Sequence, residues 1–79
     1  MDFVDKKDRL AELVETYVRD KNDENYQSLI SFIDELSSDE DFNSKELFTK
    51  LFDELKRFSS DLTSRELKQR ALMIKTYMD

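Results

Sequence analysis

An all-α fold, a small antiparallel bundle of three to four helices, is what this chain predicts, on three observations. Its 79 residues include no glycine and no proline, where average usage gives about five or six glycines and about four prolines. Its apolar residues recur at helical spacing in four separate segments. Two of those segments open with the same helix-start pattern.

A first helix is expected over residues 2–19. Phe3, Leu10, Leu13, Val14 and Tyr17 share one side at 3.6 residues per turn, widened by Val4, Ala11 and Val18, and Asp2 can cap it. The polar run from Arg19 to Asn25 breaks the pattern, with Asn22 or Asp23 as the next cap. A second helix over 23–37 carries Tyr26, Leu29, Ile30, Ile33 and Leu36 on one face, with Phe32 at its edge. The run Ser37-Ser38-Asp39-Glu40-Asp41 reads as a loop.

The last two helices, over 44–58 and 64–78, begin alike. Asp41-Phe42-Asn43-Ser44-Lys45-Glu46-Leu47 and Asp61-Leu62-Thr63-Ser64-Arg65-Glu66-Leu67 match in residue type, 20 positions apart. Thr63 with Glu66 forms a capping box, and Asn43 with Glu46 has the same spacing. Phe42 with Leu47, and Leu62 with Leu67, occupy the hydrophobic-staple positions. Beyond the first turn the match fades, so the similarity is a shared start signal and not a repeat. Leu47, Phe48, Leu51, Phe52, Leu55 and Phe58 form the broad stripe of the third helix; Leu67, Ala71, Ile74 and Met78 form a narrower one on the fourth. Six acid-before-base pairs at i,i+4 support the helices: Asp2–Lys6, Asp5–Arg9, Glu15–Arg19, Glu46–Lys50, Asp53–Arg57 and Glu66–Arg70. Each contributes about 0.2–0.5 kcal/mol. The short connection after Phe58 predicts that the fourth helix folds back on the third.

The chain reads as one domain, 1–79, with a thin core that no disulfide or thiolate-held zinc reinforces, since cysteine is absent. Histidine is absent too, so neither Ser–His–Asp nor Cys–His catalysis can be assembled, and without glycine there is no phosphate loop. No catalytic residue, cofactor or small-molecule substrate is therefore expected. Asp39, Asp41 and Asn43 occupy positions one, three and five of an EF-hand-like loop. Positions six and twelve, however, are Ser44 and Lys50, where glycine and a chelating glutamate belong. No metal is expected. No apolar run approaches a membrane span, and Met1–Lys6 lacks the apolar region of a secretory signal, so a cytoplasmic protein is expected.

Charge is unevenly distributed. Residues 1–55 hold 16 acids and 7 bases, whereas 56–79 hold 3 acids and 6 bases, within a net charge of −6. Two surfaces stand out as candidate binding sites. Asp34, Glu35, Asp39, Glu40 and Asp41 place five carboxylates, with no base between them, where they could steer a basic partner. On the fourth helix Leu72 projects away from the core stripe among Arg65, Lys68 and Lys75, with Met73 and Tyr77 as a further apolar edge.

The residues from Thr63 to Leu67 resemble the helix start of LuxR-type DNA-binding domains, although the rest of that motif is missing. In size, acidity and helical make-up the chain resembles bacteriocin immunity proteins and small phage-encoded inhibitors, a likeness of architecture and charge that assigns no residue a role. It implies a compact protein that acts by binding. The expected function is thus a protein-binding module, an inhibitor or regulator that occludes a larger partner, with a basic, nucleic-acid-binding protein as the natural candidate. The alternatives are a homodimeric or otherwise self-associating subunit with the fourth helix as its seam, and a small DNA-binding regulator using Arg65, Lys68, Arg70 and Lys75.

Overall fold

The computed structural model describes residues 2–78, which form five helices and no strand. They are α1 (Phe3–Arg19), α2 (Asp23–Ser37), α3 (Glu40–Asn43), α4 (Glu46–Phe58) and α5 (Ser64–Thr76). The four long helices run up and down. Tyr17 at the end of α1 meets Tyr26 at the start of α2, and Tyr26 in turn reaches the Lys56 carbonyl near the end of α4. Phe3 at the start of α1 meets Tyr77, just past the end of α5.

Four of the five helix starts carry a side-chain cap, that of α3 being Asp39. Asp2 accepts the Asp5 amide at 2.9 Å, and Asn22 accepts the Asn25 amide at 2.8 Å. Thr63 and Glu66 close the full capping box, each side chain bound to the other's backbone amide. That box also holds the Glu66 carboxyl below its usual range, chiefly through the Thr63 amide and then through the Thr63 hydroxyl.

The second expected box is not formed. Asn43 ends α3 instead of capping α4, and the residue at the cap of α4 is Lys45, which makes no side-chain capping bond. The cause is Phe42. Its ring is fully buried, 4.9 Å from the rings of both Phe3 and Phe48, and burying it winds 40–43 into a helical turn capped by Asp39. Of the expected acidic loop, Glu40 and Asp41 therefore belong to α3 with Asp39 as its cap, while Ser37 is the last residue of α2.

Sixteen apolar side chains make one contiguous core drawn from all five helices. All but Phe42 lie on the four expected stripes. Burying each of the larger ones contributes about 1.5–3 kcal/mol, which must offset the ordering of a short chain. Helix α1 is central: α5 packs most extensively against it, and α2 next. The principal neighbour of α5 is thus α1 and not α4, contrary to the expectation from the short connection. A buried alanine in each stripe, Ala11 and Ala71, suits a close approach of helix surfaces.

Three stripe positions are exposed and fall outside the core, Val4 on α1 being the first. Phe58, the last residue of α4, is 49% exposed. Helix α5 ends at Thr76, two residues early, and Tyr77 leaves helical geometry with ψ near 130°. Met78 is consequently 87% exposed. Tyr77 swings in the other direction, its ring 4.8 Å from that of Phe48. Lys7, 8% exposed, donates to the Tyr77 carbonyl at 3.0 Å and ties this end of the chain to α1.

Candidate functional site

The acidic surface lies where α2 gives way to α3. Asp34 and Glu35 sit in the last turns of α2, and Asp39, Glu40 and Asp41 form the cap and first turn of α3. Acids are favourable at the start of a helix, where backbone amides point outward. The five carboxylates are not equivalent. Asp34 pairs with Lys56 of α4 at 2.6 Å. Asp39 accepts Lys6 of α1 through Oδ2 and the Asp41 amide through Oδ1. Lys6 holds the Asp39 carboxyl below its usual range, with the Asp41 amide next in effect. Conversely the hydrogen bond to Asp39 raises Lys6, and the fields of Asp41 and Glu35 add to it.

Glu35, Glu40 and Asp41 remain exposed, and no side-chain ion pair engages them among the described residues. Glu35 and Asp41 lie close enough to Lys6 to act on it, at a corner fixed to α1 and α4 by two cross-helix pairs. Such an arrangement presents negative charge with little rearrangement on binding. No group of three or more His, Cys, Asp or Glu converges as a metal site among the described residues, and Asp39, Asp41 and Asn43 are taken up in α3 and its cap.

A second surface runs between α1 and α5. A groove of about 450 Å³ is lined by Glu15, Val18 and Arg19 on one side and by Lys68, Leu72 and Lys75 on the other. Leu72 is 61% exposed. The depression continues along α5 over Arg65 and Gln69, sharing Lys68 and Leu72. Of the six helix-four residues singled out by sequence, four therefore share this face. Met73 lies on another side of α5, beside Leu47, Leu51 and Glu54 of α4. Tyr77 belongs to the aromatic end of the core and offers no free apolar edge.

The α1 wall of the groove escaped sequence reading. Val18 was visible only as the margin of an apolar stripe and Glu15 only as a local partner for Arg19. Their position opposite α5 depends on which helices neighbour one another. Glu15 in fact bonds Lys75 across the groove at 2.7 Å.

No helix among the described residues is long and apolar enough to cross a membrane. No family model matches the chain, and no curated protein or solved structure matches it.

Proposed function

We propose that this protein is a binding module, a regulator or inhibitor that occludes a basic surface of a larger protein with the acidic corner formed by α2 and α3. The observation that carries the reading is the exposure of Glu35, Glu40 and Asp41 without ion pairs among the described residues, next to Asp34 and Asp39, whose pairs with Lys56 and Lys6 tie the corner to α4 and α1. Carboxylates on a fixed corner steer a basic partner toward productive encounter and set its orientation. Where the partner is a nucleic-acid-binding protein, these groups stand in for phosphates and occlude its site. The small size of the domain is no obstacle, because blocking a surface requires area and charge and no enclosed pocket.

The test is affinity capture from a nuclease-treated lysate of the source organism. The wild-type chain is compared with the triple variant Glu35→Lys/Glu40→Lys/Asp41→Lys. The wild type is expected to retain one protein in near-equal amount, released by salt, and the variant is expected to lose it. Retention of the same protein by the variant, with unchanged salt release, would overturn the reading.

A further inference from the structure

We propose that the groove between α1 and α5 is a second docking site, which takes an acidic segment of another protein anchored by an apolar side chain against Leu72 and Val18. The groove differs in sign from the rest of the molecule. Its two depressions are lined by four cations, Arg19, Arg65, Lys68 and Lys75, against the single carboxylate of Glu15. That carboxylate is held by Lys75. Arg19, Arg65 and Lys68 enter no ion pair among the described residues, in a chain whose net charge is −6.

The apolar centre is as informative as the rim. Leu72 and Lys68 belong to both depressions, and Val18 faces them from α1. Arg65, Lys68, Leu72 and Lys75 follow helical spacing from 65 to 75, a stripe of about 15 Å at the rise of an α-helix. A peptide segment with one large apolar residue flanked by carboxylates matches that stripe in length, sign and polarity. Covering Leu72 supplies the apolar gain, and the cations fix direction and register.

The charge pattern disfavours other occupants. In a two-fold dimer seam, the groove would face its own copy, setting Arg19, Arg65 and Lys68 against like charges. One exposed leucine and a partly buried valine also fall far short of the roughly 800 Å² per partner of a standard interface. A nucleic-acid backbone would meet the cations but leave Leu72 covered by nothing apolar, and the negative charge of the whole chain opposes it. With an acidic corner at α2–α3 and a basic groove at α1–α5, the chain can hold two partners of opposite sign.

The experiment is selection of bacteriophage-displayed random 12-residue peptides against the full chain. Direct binding of the enriched sequence, fluorescein-labelled, is then measured. Peptides bearing Asp or Glu around Leu, Ile or Phe are expected. Their affinity should fall about tenfold or more for Leu72→Asp, and likewise for Arg65→Glu/Lys68→Glu, as for loss of an interface anchor. Leu72→Ala, which adds no charge, is expected to weaken binding to a smaller degree, and circular dichroism verifies that all three variants stay helical. Failure to enrich any sequence, enrichment of basic or uncharged sequences, or acidic sequences that bind both groove variants as tightly as wild type, would each overturn the proposal. So would a wild-type dimer in sedimentation that Leu72→Asp converts to monomer, or tighter binding of duplex DNA than of any peptide.

Discussion

Arg70 grips Glu54 through two parallel hydrogen bonds, Nε to Oε1 at 2.8 Å and Nη2 to Oε2 at 3.2 Å. The pair joins α5 to α4, although local spacing offers Arg70 the carboxylate of Glu66 one turn earlier. A guanidinium and a carboxylate meet edge to edge with both charges satisfied, which a lysine cannot reproduce. Glu66 is already engaged in its capping box, and the third arm of Arg70 reaches only its backbone carbonyl, at 3.4 Å.

Breaking this pair is expected to weaken the fold modestly. Glu54→Gln and Arg70→Lys should each cost about 1 kcal/mol, because part of the pair remains in water. Urea unfolding of the two single variants and the double variant gives the coupling between them. Additive losses would mean the two groups do not support each other.

The same pair sets a pH dependence. Hydrogen bonding to Arg70 holds the Glu54 carboxyl below its ordinary value of 4.5. The folded protein therefore binds this proton less readily than the unfolded chain. Its stabilisation is complete above that ordinary value and is lost as pH falls through the lower folded one. Urea midpoints measured between pH 7 and pH 3 should decline less steeply for Glu54→Gln than for wild type. Parallel declines would assign the acid sensitivity elsewhere, with Asp39 beside Lys6 the next group to replace.

Phe42→Ala is expected to be the most damaging of these changes, at about 3–5 kcal/mol, the usual cost of emptying a buried phenylalanine site. In a core this small that loss should leave the chain largely unfolded at room temperature. Phe58→Ala, at a half-exposed ring, should cost about 1 kcal/mol or less. Far-UV circular dichroism and thermal melts of the two variants separate these outcomes, and similar melts would contradict the role given to α3.

Capping provides a sharper contrast, because two look-alike starts behave differently. Thr63→Ala removes a formed box and should cost about 1 kcal/mol. Asn43→Ala removes no cap of α4 and should fall within about 0.5 kcal/mol of wild type. Equal losses in urea unfolding would restore Asn43 as a cap.

Ser59 is the one buried side chain whose polar atom has no hydrogen-bond partner among the described residues. An unpaired buried hydroxyl is a desolvation cost that alanine would not carry. Ser59→Ala should therefore raise stability, by about 1 kcal/mol, visible as a higher urea midpoint with unchanged slope. A lower midpoint would show that the hydroxyl is satisfied in solution.

Much of this molecule was legible in the chain because helices advertise themselves locally. The stripes from Leu10 to Tyr17 and from Phe48 to Leu55, the Asp2, Asn22 and Thr63 caps, and the exposure of Leu72 all follow from spacing along one helix. The acidic run was visible because its residues are contiguous. Its internal division was not: only the fold brings Lys6 to Asp39 and Lys56 to Asp34, leaving Glu35, Glu40 and Asp41 exposed. Half of the basic groove could be read from α5, and the other half waited on its neighbour.

By itself, then, the sequence determined the all-helical class, the four long helices, the bulk of the core and the sign of each surface. These depend on interactions three or four residues apart, which helical geometry fixes in advance. The tertiary structure decided that α5 packs chiefly on α1 and that Phe42 turns part of an acidic loop into a helix. It also set Tyr77 against Phe48 rather than on an outer edge, and it gave Lys6, Glu15 and Arg70 partners far along the chain. Those choices are competitions between distant groups for the same space and the same charge. Distance and burial decide them, and neither exists until the helices have packed.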